Sequence, residues 1–153
     1  VANRKWDVIH FNFGIWDTHY LHNGKLIMPN NLGNYKKEDL KRRYSHQQYI
    51  KNLEKVLKVV KRTKAKLIWA STTPFVSYGE DTKVFLAENN KLAAELMQDN
   101  DVVINDLYAL ALPKLKQWQQ KDGCHFNPEG YTRLATQVAA KISTAITPNV
   151  KTR

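Results

Sequence analysis

Strict alternation of strand-like and helix-like segments constrains this chain more than any other feature of its sequence. Trp6-Asp-Val-Ile-His-Phe-Asn-Phe13 is rich in aromatic and β-branched residues and ends at Gly14, the pattern of a strand. Ala65-Lys-Leu-Ile-Trp-Ala-Ser-Thr72, stopped by Pro74, and Val102-Val-Ile-Asn-Asp-Leu-Tyr108 read the same way. Between them the apolar period becomes helical. From Ser45, an N-cap, Tyr49, Ile50, Leu53, Val56, Leu57 and Val60 share one face. A second helix over 82–98 buries Leu86, Ala93 and Met97, with Asn90 on the same stripe, so Asn90 is expected to be buried and to hold a neighbouring loop by hydrogen bonds. A short helix follows over 109–120. The last helix opens at Asn127 and Pro128 and carries Tyr131, Leu134, Ala135, Val138, Ile142 and Ile146 on its apolar face. Residues 17–44, with Gly24, Pro29, Gly33 and several Asn, read as a long loop with short helical pieces. The order β-α-β-α-β-α implies parallel strands, right-handed crossovers and helices on both faces, a three-layer α/β/α domain. Sites in such sheets form at the carboxyl ends of the strands, here after Phe13, Thr72 and Tyr108.

The 153 residues are one domain's worth, read as a single unit over 1–153. An excess of 24 Lys and Arg over 14 Asp and Glu, net +10, attracts polyanions, but much of it lies in Lys36, Lys37, Lys41, Arg42, Arg43 and the solvent face of the following helix, where solvated side chains are the commoner reading. Charge is the only evidence for nucleic acid, which is therefore not expected as a partner. One cysteine, Cys124, excludes an internal disulfide. No apolar run approaches the ~20 residues of a membrane span, and Val1-Ala-Asn-Arg-Lys-Trp6 lacks the apolar centre of a leader peptide. His19 and His22 have metal-compatible spacing without a carboxylate or cysteine companion, so no metal and no cofactor are expected. Aromatic residues Trp16, Tyr20, Tyr35, Tyr44 and Trp118 could stack on sugars, although core positions are commoner for such residues; Trp16 and Tyr20 lie nearest an expected site.

Chemistry concentrates at Asp122 and His125. Three apart in a turn that ends at a helix N-cap, they can face one cleft. There the carboxylate would orient the imidazole, and the other ring nitrogen would act as general base. The run Asp122-Gly-Cys-His-Phe-Asn-Pro-Glu-Gly-Tyr131, placed before the final helix, resembles the C-terminal block of the SGNH (GDSL-type) hydrolases. Trp6 to Asp17 resembles that family's third block, a strand followed by Gly-x-Asn-Asp. Gly14 and Asp17 carry over; Trp16 stands where the family places the asparagine that donates to the oxyanion. Ala65 to Pro74, with Asn105-Asp-Leu-Tyr108, is similar to a bacterial subgroup that includes carbohydrate acetylesterases.

The resemblance implies a flavodoxin-like SGNH fold with its N-terminal strands absent, this chain being the C-terminal two-thirds of a complete domain. It implies a serine ester hydrolase acting on an acylated small molecule or carbohydrate, with Asp122 and His125 catalytic and Gly14, Trp16 and Asp17 at the oxyanion side of the cleft; Asn12, which shares one face of the first strand with His10, could reach the cleft or pair with loop backbone, and Tyr20 and Thr73 are candidate substrate contacts. The family's Gly-Asp-Ser strand is not in the sequence. Ser45 reads as a cap, Ser77 lies in a loop, Ser143 on the last helix, and Ser71 ends a strand without the glycine-flanked turn of a nucleophile elbow. Triad members act as a unit, so the isolated chain is expected to be nearly inactive. A second polypeptide segment or second copy is expected to cover the strand at 6–13, where Ile9, Phe11 and Phe13 would otherwise meet water on one side. Localisation is open from the residues; the resemblance leans toward a periplasmic or secreted protein. The competing reading is an inactive hydrolase fold that holds acidic glycans.

Overall fold

The computed structural model describes residues 4–147. Residues 1–3, the start of the segment read for a leader, and 148–153 lie outside the described residues. In chain order the elements are β1 (Val8–Phe11), β2 (Tyr20–His22), β3 (Lys25–Ile27), β4 (Lys41–Arg42), α1 (His46–Lys61), β5 (Lys66–Ala70), α2 (Glu80–Gln98), β6 (Val103–Asn105), α3 (Leu107–Ala111), α4 (Leu115–Trp118) and α5 (Pro128–Ile146). β1, β5 and β6 form a parallel sheet in the order β1-β5-β6, with Ile9 opposite Leu67 and Ile68 opposite Val103. Helices flank this sheet, as the alternation requires.

One face is apolar. Ile9, Phe11, Leu67 and Ile104 pack with Trp69 against Tyr49, Leu53, Leu57 and Val60 of α1 and against Ala93 and Met97 of α2. α1 starts where a reciprocal pair allows: Ser45 Oγ accepts from Gln48 N–H at 3.2 Å, and Gln48 Oε1 accepts from Ser45 N–H at 3.3 Å. The other face carries polar groups beneath α5. Gln137 donates to Asn105 Oδ1 at 2.8 Å, and the Asn105 amide donates to His10 Nε2 at 3.0 Å. Burial holds the His10 imidazole below its ordinary pKa, in keeping with its accepting role.

Several expectations need correction. Residues 17–44 contain a second sheet, antiparallel, in the order β3-β2-β4. Its hairpin turns on Asn23 and Gly24, both at positive φ (48° and 77°), the backbone an Asn-Gly pair favours. Strands of two or three residues are too short to print a period-2 pattern. The expected helical pieces are there, as 3₁₀ turns at Trp16–Thr18, Pro29–Asn34 and Lys37–Asp39. The third strand is shorter than expected because Asp106 caps α3, its Oδ1 accepting from Ala109 N–H at 3.0 Å. Pro113 then splits the helix expected over 109–120 into α3, a 3₁₀ turn and α4. On α5, Leu134 is buried while Tyr131 and Ile146 are exposed. Of the three apolar residues expected to meet water on one side, Ile9 and Phe11 are partly buried against the α1 layer and Phe13 is 47% exposed.

Asn90 performs the expected task. Its Oδ1 accepts from Thr72 N–H and its Nδ2 donates to Thr72 C=O, both at 2.9 Å, within buried surroundings. Asn90→Ala leaves both backbone groups of Thr72 unpaired and is expected to cost about 2–6 kcal/mol, on the order of 1–3 kcal/mol per group. Thermal or urea unfolding checks it, and a change below about 1 kcal/mol, the net worth of one ordinary hydrogen bond, would contradict the assignment.

Candidate active site

The carboxyl ends of β1 and β5 are knotted together at Thr72. Its hydroxyl donates to Phe13 C=O at 2.9 Å and accepts from Asn12 Nδ2 at 3.1 Å, and the same Asn12 amide donates to Ala70 C=O at 2.7 Å. Gly14 lies so close that a Cβ there would sit 2.1 Å from Thr72 Oγ1. Glycine is therefore required by contact.

After Thr72 the chain runs through Pro74 to Tyr78 and supports the Asp122 turn. Val76 N–H donates to Gly123 C=O at 2.9 Å, and Ser77 Oγ donates to Asp122 C=O. Gly123 has φ +69°, and a Cβ there would meet Ser77 N and Val76 Cγ2 at 3.0 Å. Both backbone conformation and space thus select glycine between Asp122 and Cys124. Gln120 N–H donates to His125 C=O at 2.8 Å and closes the turn from the other side.

Within this turn Asp122 divides its two oxygens. Oδ1 accepts from the N–H groups of Cys124 and His125, each at 2.9 Å, and Oδ2 accepts from His125 Nδ1 at 2.5 Å. A carboxylate is acceptor-only, so the imidazole carries its proton on Nδ1 and turns Nε2 outward, where no protein group among the described residues bonds it. The His125 hydrogen bond, then those backbone N–H groups, hold the Asp122 carboxyl down at about 2. That value lies below the ordinary 3.8, so the ionised Asp122 carboxylate supports the turn at higher pH and its contribution is lost as pH falls through about 2. The side chains of His125 and Asp122 are 63% and 46% exposed. Cys124 between them packs on the cluster of Tyr20, Ile27, Phe75, Tyr78 and Leu86, and burial raises its thiol pKa.

Three of the four serines have their hydroxyls engaged elsewhere. Ser71 Oγ donates to Asp106 Oδ1 at 2.7 Å and accepts from Tyr108 N–H at 2.8 Å; Ser45 caps α1; Ser77 holds Asp122 C=O; Ser143 lies on α5.

Trp16 is 55% exposed and lies flat on His19, ring centroids 4.7 Å apart at 11°. His19 is buried, its Nδ1 on Ile15 C=O at 3.0 Å and its other face toward Phe75. Asp17 is half-buried beside Tyr49 in an apolar hollow of about 80 Å³; burial raises its carboxyl pKa, and Arg43 works in the opposite direction. Asn12 spends its amide hydrogens on the strand ends, and Thr73 is half-buried next to Thr72. Tyr20 does not face a cleft: it is core, with the Arg42 guanidinium 4.1 Å over its ring. Arg42 also donates to Thr18 C=O and Thr82 Oγ1, a buried role hidden in what reads as a solvated basic run. Nothing in the sequence separates Arg42 from its neighbour Arg43. Among the described residues no group of three or more His, Cys, Asp and Glu could hold a metal, and no helix is long and apolar enough to cross a membrane.

No family model matches the chain, and no curated protein does. Solved structures do. A lipase/acylhydrolase from Enterococcus faecalis superposes with a TM-score of 0.67 at 22% identity, over 94% of this chain and 64% of that one. The fold is that of the GDSL-type ester hydrolases. A carbohydrate esterase of family 3 from Talaromyces cellulolyticus superposes with a TM-score of 0.65 at 19% identity, over 94% of this chain and 60% of its own. A variant of an acetyl-xylooligosaccharide esterase from Geobacillus matches 100% of this chain and 65% of its own, at TM-score 0.63 and 16% identity. The chain spans between 56% and 65% of the length of the solved structures it matches.

Carboxyl-detected NMR is expected to find Asp122 titrating near 2 and, in His125→Ala, moving up toward 3.8. An Asp122 that titrates at 3.8 in the unaltered chain would mean that the pair does not form in solution.

Proposed function

We propose that this chain carries the acid–base half of a serine ester hydrolase, with His125 as general base and Asp122 as its orienting carboxylate. The observation that carries this reading is the division of labour at Asp122: one oxygen fixed by two backbone N–H groups, the other on Nδ1, so that Nε2 is aimed out of the turn as a base. In the reaction Nε2 would take the proton of a serine hydroxyl as that oxygen attacks the ester carbonyl, then return it to the departing alcohol. Asp122 would stabilise the imidazolium formed in between. With the hydroxyls of Ser45, Ser71 and Ser77 engaged elsewhere and Ser143 on α5, the nucleophile would come from outside these residues. The substrate class we infer is an acetylated or short-acyl carbohydrate, supported by the carbohydrate esterases among the structural matches.

The segment bearing the serine would also cover the outer edge of β1, which has no strand neighbour among the described residues, and the hollow lined by Phe13, Tyr49, Leu53 and Val56. Sedimentation of the chain alone, and mixed with that segment, tests this coverage. A second reading, a glycan-binding module without turnover, is favoured by Trp16 standing where the family resemblance puts an oxyanion donor.

Hydrolysis of a short-chain nitrophenyl ester separates them. The chain alone is expected to hydrolyse it at the rate of free imidazole, and the chain joined to its serine segment well above that. Asp122→Asn and His125→Ala should then each reduce kcat by roughly three to four orders of magnitude. Undiminished turnover in His125→Ala would sink the mechanism, and absent turnover in the completed protein would favour the binding module.

A further inference from the structure

We propose that Trp16, Arg43 and the hollow beyond Tyr44 form a track for an acidic polysaccharide, a chain of uronic-acid units that leads away from the Asp122–His125 pair. The inference rests on the carbohydrate reading above and adds the charge of the sugar.

Trp16 is exposed, yet its plane is held. His19, itself 3% exposed, lies parallel beneath it, and Phe75 lies a further 5.8 Å on at 13°. Phe75 belongs to the segment that bonds the Asp122 turn, so the indole and the dyad are fixed to one support. The outer face of Trp16 meets no other ring among the described residues. A fixed, solvated aromatic plane on the support that carries the dyad presents the flat apolar body and polar edge that a sugar ring matches.

Two adjacent arginines differ in a way that decides the charge. Arg42 is spent inside the fold, with two hydrogen bonds and the rings of Tyr20 and Phe85 around it. Arg43 is anchored by its backbone, its N–H donating to His19 C=O at 2.8 Å, and its guanidinium lies 3.5 Å from Trp16 C=O and 5.3 Å over Tyr44. No carboxylate lies within 4.0 Å of it among the described residues. Asp17, the acid it influences, is half-buried on the Tyr49 side. Beyond Tyr44 opens a hollow of about 340 Å³ lined by Gln48, Lys51, Asn52 and Lys55, and neither lysine has a carboxylate within 4.0 Å. A guanidinium fork suits a carboxylate at the first subsite, and two lysines one helical turn apart suit the next. A nucleic acid strand asks for successive stacking platforms; here Arg43 covers Tyr44 and leaves one open plane.

Calorimetry of the chain at constant ionic strength, with tetragalacturonate, neutral xylotetraose and a single-stranded oligothymidylate as probes, tests the track. Tetragalacturonate is expected to bind about tenfold more tightly than xylotetraose. Trp16→Ala should weaken both sugars, and Arg43→Gln and the pair Lys51→Gln with Lys55→Gln only the acidic one. The charge-matched control Lys114→Gln with Lys116→Gln should change neither. Equal binding of the two sugars, with no effect of Arg43→Gln, overturns the acidic track and leaves the carbohydrate reading standing. Equal loss in the control, or tighter binding of the oligothymidylate, overturns it as bulk charge attraction. Binding of no sugar at all overturns both.

Discussion

The buried amide of Asn90 grips Thr72 by its N–H and its C=O, and the cleft depends on that grip. Thr72 in turn binds the end of β1 through its hydroxyl and approaches Gly14 too closely for any side chain there. The segment that leaves Thr72 meets the Asp122 turn through Val76 and Ser77. A side-chain amide that imitates a strand neighbour thus sets two of the three carboxyl ends, and through them the dyad. Buried polar groups that are fully paired rigidify what they join, and a catalytic pair needs such a support if its rings are to hold one geometry.

Electrostatics at the dyad follow from how exposed it is. Desolvation contributes little at Asp122, so its carboxyl is depressed by hydrogen bonds, first from His125 and then from the backbone. At Asp17 the order reverses, with burial raising the carboxyl against the pull of Arg43. The two carboxyls are therefore shifted in opposite directions, Asp122 down and Asp17 up. Such separation assigns different work to chemically identical groups. The same contrast divides Arg42 from Arg43: one guanidinium spent on internal carbonyls and rings, the other left facing outward.

Much of this was legible in the sequence because the features were periodic or chemically singular. The three parallel strands, the α1 and α2 faces, the Ser45 and Asn127 caps and the role of Asn90 follow from spacing alone. Asp122 and His125 stood out because their turn precedes a proline-started helix. What could not be read depended on contacts between distant segments. β2 to β4 are too short for a pattern, and the Asn23-Gly24 pair on which their hairpin turns read only as part of a long loop. Tyr20 looked like a cleft aromatic and became core because Arg42 closes over it. The weak burial of α5, with Tyr131 and Ile146 outside, follows from what packs against that helix, which periodicity does not report.

The central claim is that Asp122 fixes the tautomer of His125, so that Nε2 is a base waiting for a proton. Imidazole ¹⁵N chemical shifts of His125, measured with the ring neutral, test this directly. The account predicts a protonated Nδ1 and an unprotonated Nε2, with the preference lost in Asp122→Ala. A neutral ring protonated on Nε2, or a tautomer mixture unchanged by removing Asp122, would contradict it.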